Sequence, residues 1–598
     1  KMMAAERIEK LEKLRAQMKE EGIDCYVIPS ADFHQSEYVG DYFQAREYLT
    51  GFTGSAGTAV ITAKEAVLFT DGRYFIQAEK ELKGTSIRLM KMGEPGVPTV
   101  KEYVRKMLPD QGVLGFDGRV ISMEDGCEYA EMVTAKGGAI RYENDLIDRI
   151  WTNRPSLSKE PAFELDVCYA GESVEEKLAR VRKEMEKAGA DWHVLTTLDD
   201  IGWLLNLRGN DIAFFPMVLA YALIGMSEVR LYIDQNKVGE ALRARLARAG
   251  VRFFAYDEIY REMGQFSDVT LLLDRGRMNY ALYREIPDSV KVVEAANPEV
   301  MFKCCKNPVE IANIRRAQMK DSVCHIRFMK WLKEHVGTEQ ITEISASEKL
   351  DEFRREQEHF IRPSFDPIAA AGEHGAIVHY SATEETNKEL KPGMLFLTDT
   401  GAGFYEGSTD ITRTYALGEI PKEMKEDFTL VAISNLSLAN AKFLEGCTGV
   451  NLDILARKPF WERGRDFKHG TGHGVGYLLN IHEGPIAFRW RGGQGEMPAF
   501  EEGMVITDEP GIYIEGSHGI RLENELLVRK GERNEYGQFL YFEPLTLVPM
   551  DLDAIEPEMM SEDEKRMLNA YHKRVYEEIS PYLSEEERGW LLEYTREI

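Results

Sequence analysis

Cysteine is scarce in this chain: there are seven in 598 residues, at positions 25, 127, 168, 304, 305, 324 and 447. Their number is odd, their spacing is irregular and no Cys-x-x-Cys occurs, a pattern that fits reduced thiols in a reducing compartment. Cys304 and Cys305 read as two reduced neighbours rather than a redox pair. The chain also lacks any run of eighteen apolar residues, so no segment is expected to span a membrane. Its opening, KMMAAERIEK, lacks the apolar core of a secretory signal, and the expected location is cytoplasmic. Basic charge is outnumbered: 74 Lys and Arg against 101 Asp and Glu leave a formal charge of −27. That argues against nucleic acid and anionic membranes as partners. The segment GFTGSAG lacks the Lys-Ser/Thr that follows a phosphate-binding loop, so it reads as a tight turn.

What is present describes a multidomain protein. The length predicts two to four domains, and 43% hydrophobic with 29% charged residues is ordinary for a soluble chain. Residues 6–22 read as an amphipathic helix ending at Gly22, followed by a strand in DCYVIP. The same opening recurs: Arg15, Met18, Gly22, Asp24 and Val27 align with Arg182, Met185, Gly189, Asp191 and Val194 at a constant offset of 167. This internal repeat predicts two similar α/β domains in tandem, divided by the Pro-containing linker TNRPSLSKEPAFELD. A third, α+β domain begins near Met301, with a curved antiparallel sheet and helices outside it. In it, SFDPIAAAGEHGAIVHYSAT reads as strands around a turn at Gly372. After Pro557, Ser561 with Glu564 and Ser584 with Glu587 form two capping boxes, predicting two C-terminal helices. Trp590, Leu591 and Tyr594 need a surface to bury against.

The chemistry concentrates between Leu397 and Asn524. In LTDTGAGFYEGSTDITRT, two β-rich segments joined by a glycine-rich loop read as a hairpin with Asp399 and Asp410 near its loop end. Close carboxylates repel unless a proton or a cation separates them; the pair alone reads equally as two solvated turn residues. In HGTGHGVG, the glycines allow close backbone approach, and His473 reads as a metal ligand flanked by His469 and His482. In TDEPGIYIEGSHGIRLEN, Arg521, Glu523 and Glu525 share one strand face by alternation, which must look onto water or an ion, and Glu509 precedes a Pro-Gly break. Four carboxylates and one imidazole suit two divalent ions. Mn²⁺ leads, with Zn²⁺, Co²⁺ and Fe²⁺ open.

In the order Asp399, Asp410, His473, Glu509, Glu523, these residues match the ligand set of the pita-bread metallopeptidases. The strings SFDPIAAAGEHGAIVHY, DTGAGFYEGSTDITRT, HGTGHGVGYLLNIHEGP and TDEPGIYIEGSHGIRLEN resemble the aminopeptidase P (Xaa-Pro aminopeptidase) family. The likeness is closest to its long, three-domain cytosolic type and extends over nearly the whole chain. The resemblance implies two creatinase-like α/β domains (1–155 and 156–300) and a pita-bread catalytic domain (301–598) that includes a helical extension from about 555. It implies release of the first residue from peptides with proline in second position, and a homodimer. By the same resemblance Glu509 takes the proton from the attacking water, and His379 and His482 lie at the reacting bond and just beyond it. His469 would line the proline pocket, and Tyr513 and Arg521 complete the site. Prolidase shares the ligands but cuts only dipeptides; methionine aminopeptidase lacks the tandem domains; creatinase lacks the metals. A non-catalytic interaction protein on this scaffold would have lost the ligands.

Overall fold

The five residues repeated at an offset of 167 take the same structural positions in both copies. Helix Ala4–Glu21 stops at Gly22 (φ 69°) and helix Val174–Ala188 at Gly189 (φ 66°), a left-handed backbone that favours glycine. Met18 and Met185 are buried on those helices, and Val27 and Val194 in the strands that follow. Arg15 Nε donates to Thr62 O and Arg182 Nε to Gly225 O, both at 2.8 Å; each ties its helix to the last residue of a neighbouring strand. Asp24 Oδ2 accepts from Val113 N at 2.7 Å and Asp191 Oδ2 from Thr270 N at 2.8 Å. Each satisfies the first amide of an adjacent parallel strand, which would otherwise lack an acceptor.

These contacts belong to a computed structural model that describes residues 2–493 and 495–598. The chain divides into two units, residues 1–166 with 172–299, and residues 167–171 with 300–598. The first unit holds two six-stranded sheets. One runs in the order Arg88–Lys91, Ala66–Thr70, Thr58–Thr62, Cys25–Pro29, Val113–Gly115, Ala139–Arg141. The other runs Val251–Phe254, Val229–Ile233, Ala220–Gly225, Trp192–Leu195, Thr270–Leu273, Lys291–Glu294. The sequence of parallel and antiparallel pairings is the same in both. The segment read as a glycine-rich turn is preceded by a short helix, Ala45–Thr50, which Gly51 (φ 72°) ends.

In the second unit the named strands pair antiparallel. Leu395–Thr400 pairs with Ile368–Ala371 on one side and Ile411–Ala416 on the other. Asn524–Asn534 pairs with Val505–Asp508 and Gly537–Pro544. An isolated bridge between Thr412 and Glu523 joins the two systems. Helix Lys422–Ala439 buries Phe428, Val431 and Leu436 against Ile512, Ile520 and Leu522 of the sheet. Both predicted C-terminal capping boxes form, at the starts of helices Glu562–Ile579 and Glu585–Tyr594. Leu568, Val575 and Leu591 enter the same core as the Lys422–Ala439 helix, while Trp590 and Tyr594 pack against a second cluster around Phe328 and Leu332.

Two local expectations are corrected. The Ile368–Ala371 strand is followed by a 3₁₀ turn at Gly372–Ala376, and no strand is formed by residues 377–381. Ala371 and Tyr380 instead both bond to the buried Glu343 carboxylate, which replaces strand pairing as the anchor. The loop between Asp399 and Asp410 also carries its own small hairpin, Ala402–Phe404 with Gly407–Ser408.

Candidate metal centre

Asp399 lies within the strand Leu395–Thr400, opposite Thr412, while Asp410 immediately precedes the partner strand. His473 is the middle residue of the strand Gly472–Gly474. Its glycine neighbours have a steric cause. A Cβ on Gly472 would stand 1.8 Å from Thr507 O, and one on Gly474 would stand 2.2 Å from Glu483 O. Strands on both sides press on His473, and only glycine admits them. Glu509 follows the strand Val505–Asp508, and Glu523 falls in the break between His518–Arg521 and Asn524–Asn534.

Asp410, His473, Glu509 and Glu523 converge so that one donor atom from each lies within 4.8 Å of all the others. His473 Nε2 is 3.2 Å from Asp410 Oδ2, 3.2 Å from Glu509 Oε2 and 3.9 Å from Glu523 Oε2. Its Nδ1 is 2.7 Å from the Gly474 carbonyl and donates to it. Nε2 therefore faces three carboxylates and needs a proton or a cation in front of it. An imidazole whose far nitrogen is pinned by a backbone carbonyl is the usual form of a metal-binding histidine.

Asp399 stands outside that group of four, coupled to it by charge. Its Oδ2 accepts from Arg521 Nη2 at 2.8 Å and Nε at 3.1 Å. Burial pushes its carboxyl up to about 7, opposed by Arg521 and reinforced by Asp410 and Glu509. Burial, with Asp410 and Glu509 beside it, also holds the Glu523 carboxyl well above the usual range. Burial works against ionised Glu509, but the adjoining Glu523 and His473 prevail and hold it well below that range. Asp399 Oδ1 and Glu523 Oε2 are buried without a hydrogen-bond partner. Buried carboxylate oxygens left bare are costly. A site that concentrates them around one imidazole has the hard, anionic donors that a divalent ion requires. Among the described residues this is the one such group that could hold a metal.

The face carrying Arg521, Glu523 and Glu525 was expected to look onto water or an ion. It does not face water: the three are 1%, 1% and 0% exposed. Glu525 supports its neighbours from within, its Oε2 accepting from Asp410 N at 2.9 Å and Gln318 Nε2 at 2.8 Å. Thr412 Oγ1 donates to Glu523 Oε1 at 2.7 Å, and Thr507 Oγ1 to Glu509 Oε2 at 2.9 Å. Sequence reasoning passed over both threonines. The pattern that could have found them is alternation, since each stands two residues from a candidate ligand on a β segment.

Of the remaining predicted residues, Tyr513 and His469 group at Arg521. Its Nη1 donates to Tyr513 Oη at 2.9 Å, and Tyr513 Oη is 2.7 Å from His469 Nε2. The guanidinium cannot accept, so the phenol gives its proton to His469, whose Nδ1–H turns to the Gly470 carbonyl at 2.8 Å. Burial lowers the His469 imidazole to about 4, which keeps it neutral. His482 lies against His473, ring centroids 4.2 Å apart. His379 is half-buried, and the preceding carbonyl, Val378 O, accepts from Arg521 Nη2 at 3.2 Å.

Comparison with known proteins agrees with this architecture. Residues 10–137 and 153–310 match the creatinase/prolidase N-terminal domain, 312–530 the metallopeptidase family M24, and 538–598 the C-terminal region of that peptidase. The chain is 37% identical to Aminopeptidase P2 of Arabidopsis thaliana over 99% of its own length and 88% of that protein. It is 37% identical to a probable Xaa-Pro aminopeptidase P of Laccaria bicolor, over 98% and 92%. The X-prolyl aminopeptidase of Caenorhabditis elegans, described as a cytosolic enzyme with a di-nuclear active site, superposes with a TM-score of 0.94 at 34% identity, covering 99% and 100%. With its two similar α/β sheets and its carboxylate–imidazole centre, the chain belongs to the Xaa-Pro aminopeptidase P family of M24 metallopeptidases, in the long form that sets two creatinase-type domains before the pita-bread domain.

Proposed function

We propose that the protein removes the first residue from peptides whose second residue is proline, using two divalent ions held by Asp399, Asp410, His473, Glu509 and Glu523. The observation that carries this is the convergence of Asp410, His473, Glu509 and Glu523 within 4.8 Å. In this reading the domains run 1–155, 156–300 and 301–598. Mn²⁺ is the proposed metal because the donors are hard oxygens with one imidazole. When bound, such a pair of ions supplies an acidified water and a Lewis acid for the scissile carbonyl.

The protein's own groups divide the remaining work. Glu509, oriented by Thr507, receives the proton of the attacking water. His379 and His482 serve as donors along the substrate backbone at and beyond the reacting bond. Neutral His469 and the Tyr513 ring give the proline ring an apolar wall, with Arg521 fixing both through one phenol. A prolyl bond lacks an N–H, so a site for it needs no acceptor there. We further propose a cytoplasmic homodimer, the form implied by the family likeness; no helix among the described residues is long and apolar enough to cross a membrane.

Metal analysis paired with hydrolysis of Xaa-Pro-Yaa and Xaa-Pro peptides, with and without Mn²⁺, tests the reading. Cleavage of tripeptides after the first residue, dependent on Mn²⁺, is expected. Cleavage of dipeptides alone would make the protein a prolidase. Bound metal without hydrolysis of either would point to an interaction protein.

A further inference from the structure

The helix Glu562–Ile579 does more than fill a core position: its Tyr571 reaches the backbone behind Glu523 through Arg413. Arg413 is fully buried. Its Nη1 donates to Thr412 O at 2.9 Å and Glu523 O at 3.0 Å, and its Nε to Pro549 O at 3.1 Å. Its Nη2 donates to Asn524 Oδ1 at 2.7 Å, Val548 O at 2.8 Å and Tyr571 Oη at 3.0 Å. Every one of these acceptors is uncharged, although a guanidinium stays protonated. Buried charges are ordinarily paired; this one is held by four backbone carbonyls and two neutral side chains.

The backbone it holds is that of two residues acting together. Thr412 O accepts from Glu523 N at 3.0 Å while Thr412 Oγ1 donates to Glu523 Oε1 at 2.7 Å. Arg413 thus grips both carbonyls of the pair that aims the Glu523 carboxylate. Tyr571 keeps Arg413 in register. Its hydroxyl also accepts from Val548 N at 3.2 Å and lies 2.8 Å from Thr546 O, to which it donates.

We propose that Tyr571 is a positioning residue for the metal centre. Through Arg413 it fixes the Thr412–Glu523 pair, so the C-terminal extension sets metal retention as well as stability. The inference rests on Glu523 being a metal ligand.

The test strips metal from the full-length enzyme and titrates Mn²⁺ back by calorimetry into wild type, Tyr571→Phe, Thr412→Val and the double variant. Tyr571→Phe keeps the ring and loses only the hydroxyl. Its Mn²⁺ dissociation constant is expected to rise about tenfold, in the range of outer-shell losses, with kcat lowered and the peptide KM unchanged. The double variant is expected to be no worse than the poorer single one, because both act through one carboxylate. Arg574→Ala on the same helix, which loses bonds to Pro544 O and Glu543 but not to Arg413, is expected to retain wild-type Mn²⁺ affinity. A Tyr571→Phe enzyme that only melts earlier, with wild-type Mn²⁺ affinity and kcat, overturns the inference and leaves the peptidase reading intact. A wild-type protein that takes up no Mn²⁺ overturns both.

Discussion

Asp321 and Arg354 form a buried two-point ion pair, Arg354 Nε to Oδ1 at 2.8 Å and Nη2 to Oδ2 at 3.1 Å. Arg354 Nη2 also donates to Thr400 Oγ1 at 2.9 Å, and Thr409 Oγ1 donates to Asp321 Oδ2. Thr400 directly follows Asp399, and Thr409 directly precedes Asp410. Two helices, Pro308–His335 and Glu343–Arg355, therefore grip the hairpin at both points where it presents its aspartates.

Arg354→Met is expected to strand the Asp321 charge and free Thr400. Removing one partner of a buried pair costs about 3–5 kcal/mol. The melting temperature of the metal-loaded enzyme is expected to fall by several degrees, with a parallel loss of bound metal as Asp399 and Asp410 loosen. Calorimetry and metal analysis on one sample read both. A variant with lower stability and full metal content would show that the pair supports the core alone.

His473→Ala is expected to abolish turnover and leave the fold nearly intact. The side chain's bond to the protein backbone is to Gly474 O, so little packing is lost, while the only imidazole in the group of four is removed. Circular dichroism unchanged from wild type, with hydrolysis at background, is the expected result. Near-normal rates would remove His473 from the ligand set.

Tyr513→Phe breaks the link between Arg521 and His469. Both lose a partner at a buried or half-buried position, a loss of about 1–3 kcal/mol each. The expected outcome is at least a tenfold drop in kcat/KM for proline peptides with bound metal preserved. Metal loss instead would mean that the phenol acts through Arg521 on Asp399.

Acid is expected to weaken the second unit through two buried imidazoles. Burial lowers both His325 and His572 to about 3, with Arg413 acting on each in the same direction. Their folded values lie below the ordinary 6.5, so between about 3 and 6.5 the unfolded chain binds the protons. The stability they contribute is complete above 6.5 and is lost as pH falls. Each costs roughly 2–3 kcal/mol by pH ~4.5. Urea unfolding of wild type and His572→Gln at several pH values measures it. The gap between the two proteins is expected to shift toward the variant on acidification; a constant gap would mean that His572 is not the titrating group.

Much of the site was readable because its signals are local. Glycines around His473 mark places where no Cβ fits, and the donor residues stand in short β-rich or glycine-rich strings that can be recognised one at a time. Ser561 with Glu564 and Ser584 with Glu587 start helices through bonds spanning three residues. The offset of 167 carried the tandem sheets, because Arg15, Asp24 and their counterparts each repeat a bond to strand ends. What could not be read is what crosses the chain. Nothing near Glu525 says that it holds the amide of Asp410, and nothing near Tyr571 points to Arg413.

The sequence by itself determined the two-fold α/β repeat, the helix ends and the residue types that can grip a hard cation, since period, capping and donor chemistry act over a few residues. Tertiary structure alone decided that Asp399 leans on Arg521 while Asp410, His473, Glu509 and Glu523 meet, and that the face of Glu523 and Glu525 is shut off from water. Those outcomes depend on strands more than one hundred residues apart, brought together by long-range packing that imposes burial and makes each carboxylate's charge the concern of its neighbours.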